Sequence, residues 1–121
     1  MFDTTQLADK LIKTMRALDE ATTELEERTI EAAQCRHTYN LSKAKAFIKL
    51  EPKDVEGKSK TVQAKEAEVT LLCDHEQREC YLAEAMRDAV LERVRTLRCD
   101  LSAIQSVGAA LRAEVGLAGA R

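Results

Sequence analysis

An all-α fold, two long antiparallel helices closed into a coiled-coil hairpin, is predicted for this 121-residue chain by three observations. The second half carries an apolar repeat at alternating three- and four-residue steps. The first half carries a seven-residue apolar repeat of its own. The only proline and the first of four glycines fall between the two. A period near 3.5 keeps one stripe of a helix turned toward a partner helix over many turns, so each repeat requires a helix to face.

Helix one is expected over residues 4–50. Leu11, Leu18, Leu25, Ala32, Tyr39 and Ala46 recur at the heptad interval, with Leu7, Met15, Ala21 and Cys35 on the same side. A turn is expected over residues 51–58. Pro52 disfavours helix in the residue before it, Gly57 permits a left-handed turn, and Ser59 or Thr61 can cap the next helix. Helix two is expected over residues 59–115 as one element. Its stripe runs through Val62, Val69, Cys73, Cys80, Ala83, Val90, Val94, Leu97, Leu101, Ile104, Leu111 and Val115, interrupted by Glu66, Glu76, Arg87 and Gly108.

Composition agrees. The length suits a single domain spanning residues 1–121, and 33% charged with 45% hydrophobic residues is the balance of a coiled coil. Aromatic content of 3% with no Trp gives little material for a thick globular core. No apolar run approaches the ~18 residues needed to cross a bilayer, and Met1-Phe2-Asp3-Thr4-Thr5 has no secretory character. The expectation is a cytoplasmic protein, host cytoplasm if of phage origin, with no membrane partner.

The four cysteines read as small hydrophobes filling the stripe. Cys73 and Cys80 lie about two turns or ~10 Å apart, too far to share one tetrahedral zinc. His37 and His75 each stand two residues from a cysteine, Cys35 and Cys73, and such neighbours diverge on a helix. A hairpin symmetric about its turn puts Cys35 and Cys73 at similar heights, where they can meet. No phosphate loop, nucleophile elbow or paired histidines are present, so no catalytic residue, cofactor or metal is expected. Glu66 and Glu76 read as stripe residues that set register or partner choice.

Charge is unevenly placed within a net of −2. Residues 19–31 and 66–92 are acidic. The turn region instead carries Lys43, Lys45, Lys49, Lys53, Lys58, Lys60 and Lys65, a set that can neutralise phosphates with release of counterions. Against a nucleic-acid role, Phe47 is the only aromatic among them on which a base could stack.

Helix two, longer than helix one by roughly 15 Å at ~1.5 Å per residue, is expected to overhang. With Leu18 near Val90 and Leu11 near Leu97, the apolar positions Ile104, Val107, Leu111 and Val115 are left uncovered, the mark of an interface. A two-helix hairpin buries one face of each helix, which is marginal for a lone monomer. A homodimer, forming a four-helix arrangement, is the simplest remedy.

Ala44-Lys45-Ala46-Phe47, Gly57-Lys58-Ser59-Lys60-Thr61-Val62 with Lys65-Glu66-Ala67, and Leu101-Ser102-Ala103-Ile104-Gln105-Ser106 followed by Leu111-Arg112-Ala113-Glu114 resemble a group of small helical bacteriophage proteins. These are uncharacterised proteins associated with phage DNA recombination or replication genes. The resemblance implies a DNA-metabolism context and carries over no catalytic residue. Two functions are expected: a non-enzymatic coiled-coil interaction protein acting through a protein partner, or a nucleic-acid-binding accessory protein using the lysine-rich turn. An inhibitor of a host DNA-processing enzyme, its acidic helices imitating DNA, is a third.

Overall fold

The structure, a computed structural model, describes residues 3–119 without the side chain of Ala118. The remaining termini of the expected single domain, Met1, Phe2, Ala120 and Arg121, lie outside the described residues. Three helices make up almost all of it: α1 Thr4–Lys49, α2 Val62–Leu72 and α3 Asp74–Gly119. Among the described residues there is no strand beyond one isolated bridge, Lys53 with Ser59. The two long helices, α1 and α3, pack against each other.

Local chemistry sets each boundary. Ahead of α1, Asp3 Oδ1 accepts from the Gln6 amide at 2.8 Å while Gln6 Oε1 accepts from the Asp3 amide at 3.1 Å, a reciprocal capping box. After Lys49 the chain turns on Asp54, whose Oδ1 accepts from the amides of Glu56 and Lys58. The Asp54 carbonyl takes the Gly57 amide, and Gly57 sits at φ 82°, the region where only glycine is unstrained. Thr61 caps α2 by accepting from the Ala64 amide at 3.1 Å.

Helix two therefore departs from the expected element in two ways. It begins at Val62 rather than residue 59, because Ser59 is bridged to Lys53 and the Lys60 amide donates to the Pro52 carbonyl. It is also divided at Cys73, which has φ −105° and ψ 17°. The Cys73 amide still donates to the Val69 carbonyl, and its carbonyl still accepts from the Gln77 amide, both at 2.9 Å. One residue's ψ therefore changes without moving its side chain off the stripe, and no spacing pattern records that.

The chain divides into two compact units, one of residues 1–26 with 88–121 and one of residues 27–87. In the first, Ala21, Val90, Val94 and Ile104 are buried. Arg93 pairs with Glu24, and Leu7 Cδ2 reaches to 3.5 Å from where a Cβ on Gly108 would stand. The contacts run in opposite directions along α1 and α3. In the second unit, Tyr39, Val69, Cys73 and Cys80 form a core with Cys35, Ala46 and Leu50 packed against it.

The expected overhang of residues 104–115 is absent. Glu24 meets Arg93 and Leu7 meets Gly108, which places α1 about two helical turns further along α3 than pairing Leu11 with Leu97 would. The excess length is taken up beside the loop instead, where Lys60 Nζ lies 2.9 Å from Glu68 Oε1 and the chain runs alongside the start of α2.

Candidate interaction surfaces

The four residues expected at an interface are divided by the packing. Ile104 is buried and Leu111 half-buried, both turned toward α1, while Val107 is 44% and Val115 72% exposed. Thr4, Leu7, Gly108, Leu111, Arg112 and Val115 line a shallow groove between the two helices of this unit. It is one side of the α1–α3 contact rather than a free stripe.

The lysines divide as well. Lys60 is ion-paired with Glu68, and Lys43 stands over the Tyr39 ring at 5.2 Å from its centroid, with Arg36 on the same ring at 5.7 Å. Each cation is drawn to the negative face of the ring while its stem covers apolar surface. Lys65 is half-buried. Lys45, Lys49, Lys53 and Lys58 are exposed, interspersed with exposed Glu51, Asp54 and Glu56.

The cysteine cluster of the second unit borders an ion pair. Cys80 is fully buried, and its Sγ lies 3.6 Å from Glu84 Oε1. The same carboxylate oxygen accepts from Arg36 Nε at 3.0 Å. Burial pushes the Cys80 thiol up, with the Glu84 charge adding to it, and burial likewise raises Cys73. The hydrogen bond from Arg36 holds the Glu84 carboxyl below the usual carboxylate range and raises the Arg36 guanidinium in turn. Cys73 and Cys80 are thus neutral thiols filling space, and Cys35 packs against the same cluster. Cys99 is exposed. Beside Cys35, a groove of about 360 Å³ is lined by Gln34, Thr38, His75, Glu76 and Glu79. Among the described residues no group of three or more His, Cys, Asp or Glu is placed to hold a metal ion.

A second apolar stripe lies outside both heptad repeats. Ile30, Leu41 and Ile48 are 59%, 46% and 84% exposed. They lie on the side of α1 away from buried Ala32 and Tyr39, since two residues along a helix is a rotation of about 200°. Their spacings, 11 and 7, are close to three and two whole turns, with exposed Ala33 and Ala44 beside them. That spacing is the signal by which the sequence could have shown it.

No helix of the described residues is long and apolar enough to cross a membrane. No family model matches the chain, and no curated protein or solved structure matches it.

Proposed function

We propose that this chain is a non-enzymatic interaction protein: an α-helical coiled-coil hairpin that assembles in pairs into a four-helix arrangement and acts by holding a protein partner. The resemblance to small helical phage proteins puts that partner in DNA recombination or replication.

The observation that supports it is apolar exposure: Ile30, Leu41, Ile48, Leu71 and Leu82, all in the second unit, are at least 46% exposed. Large apolar side chains gathered at the surface of one unit mark an interface. Light scattering over a hundredfold range of concentration tests it. The expected mass is twice 13.5 kDa at the upper end, and 13.5 kDa throughout overturns the assembly.

Four exposed lysines at and beside the loop, Lys45, Lys49, Lys53 and Lys58, favour a second reading in which this end contacts nucleic-acid phosphates. Affinity would then fall steeply with salt, roughly one counterion per phosphate neutralised. Absence of DNA binding at low salt removes this reading and leaves the first.

A further inference from the structure

We infer that the outward face of α1 from Ile30 to Ile48 is the self-association surface, and that its occupant is the same face of a second copy lying antiparallel. The inference rests on the self-associating reading above and assigns it a face.

The apolar part comes first. Ile30 and Ile48 are 18 residues apart, five whole helical turns, so they share one azimuth at the two ends of a stripe about 27 Å long. Leu41 lies between them on the same side, and all three are exposed. Exposed His37 stands on the same line two turns after Ile30, and with Ala33 and Ala44 beside the larger residues the stripe has bulky and small positions that can interdigitate with a facing helix.

The charges then select the occupant. Glu27 and Glu31 are exposed at one end of the stripe, and Lys45 and Lys49 are exposed at the other. Each acid is separated from a lysine by the same 18 residues, Glu27 from Lys45 and Glu31 from Lys49, so all four flank one side of the stripe. Glu31 also pairs with Arg28 of the same helix at 3.2 Å, an exposed contact, and the partner helix that complements this flank is basic beside Glu27 and Glu31 and acidic beside Lys45 and Lys49. The chain's own α1, reversed, has that order. A two-fold axis near the height of Tyr39 brings Ile30 opposite Ile48 of the second copy and sets acids against lysines at both ends. A parallel pairing, related by an axis along the helices, would carry the two charged flanks to opposite sides of the stripe, so that acids and lysines would not meet.

Two charge variants test the assignment. Lys45→Glu with Lys49→Glu makes the flank wholly acidic, and Glu27→Lys with Glu31→Lys makes it wholly basic. Each variant alone should self-associate at least about tenfold more weakly than the parent chain, since like charges now face each other. Mixed in equal amounts, they should recover a one-to-one dimer by light scattering, with helix content by circular dichroism unchanged throughout. Leu41→Asp with Ile48→Asp should dissociate the dimer, and Val107→Asp with Val115→Asp should not.

A parent chain that is monomeric at every concentration overturns the self-associating reading and this inference together. A dimeric parent whose charge variants stay dimeric, or do not recover on mixing, overturns the face alone.

Discussion

The same substitution at two stripe positions of α3 should have opposite consequences. Val94 is 1% exposed and Val115 72% exposed. Val94→Ala removes two methyl groups from a buried site, about 1.6 kcal/mol at ~0.8 kcal/mol per buried carbon, with a further cavity contribution where neighbours do not relax. Alanine's better helix propensity returns about 0.5 kcal/mol. The net expectation is a loss of about 1 to 2 kcal/mol, or a Tm lower by roughly 3 to 8 °C for a chain of this size. At Val115 there is little burial to lose, so the propensity gain remains and the variant should be unchanged or more stable by up to about 0.5 kcal/mol. Urea unfolding followed by helix dichroism, at low micromolar protein, measures both. A Val115→Ala cost equal to that of Val94→Ala would refute the reasoning, because it would mean that a second copy or another part of the chain covers Val115.

Glycine replacement should also change sign with position. Gly57→Ala forces a non-glycine residue to φ 82° and should cost about 1 to 2 kcal/mol although nothing lies within 4 Å of the new Cβ. Gly108→Ala adds a Cβ at an ordinary 3.5 Å from Leu7 and should stabilise by about 0.5 to 1 kcal/mol in a thermal melt. Thr61→Ala removes the α2 cap and should cost about 1 kcal/mol in the same measurement. For the buried thiols of Cys73 and Cys80, the folded pKa is raised, so above about pH 8.5 the unfolded chain loses protons that the folded chain keeps. Stability should be full below that pH and decline above it, and replacing both cysteines with Ala should flatten the decline. Alkylation at neutral pH should modify Cys99 first and leave Cys73 and Cys80 untouched until unfolding, as mass spectrometry of the labelled chain can show.

Which face of each helix is buried was legible from spacing alone. Ala21, Ala32 and Tyr39 lie on the first repeat, and Val69, Cys73, Cys80, Ala83, Val90, Val94 and Ile104 on the second. Periodicity marks a face without saying what stands opposite it at a given height. Val62 and Met15 belong to the same stripes and remain 70% and 49% exposed. The register was not legible because it depends on the loop, where bonds from Lys60 to Pro52 and from Asp54 to Lys58 delay the helix and lay the chain along α2. A turn assumed symmetric has no such asymmetry. The cover over Ile104 and Leu111 was misjudged with the register, since sliding α1 by two turns brings it over those residues, while Val107 and Val115 stay exposed.

The stripe of Ile30, Leu41 and Ile48 was missed for a related reason, and it bears on why the chain should assemble. Heptad matching finds the densest repeat, and the most deeply buried members of that repeat are small, Val94 and Cys80 being the largest, while its leucines Leu11, Leu18, Leu25, Leu97 and Leu101 are only half-buried. Small residues let two helices approach closely, yet each removes little apolar area from water, so the most deeply buried positions yield less hydrophobic free energy than Leu or Ile would there. The bulkier residues Ile30, Leu41, Ile48, Leu71 and Leu82 are all at least 46% exposed. In a chain built to stay monomeric, selection for stability and against association would put the large side chains inside and the small ones out. Here several large side chains stand outside, and pairing the outward face of α1 with a second copy would bury three of them from each chain. The α1–α3 packing fixes where that stripe stands, and burying it in the proposed pair would remove apolar area that the packing leaves in water.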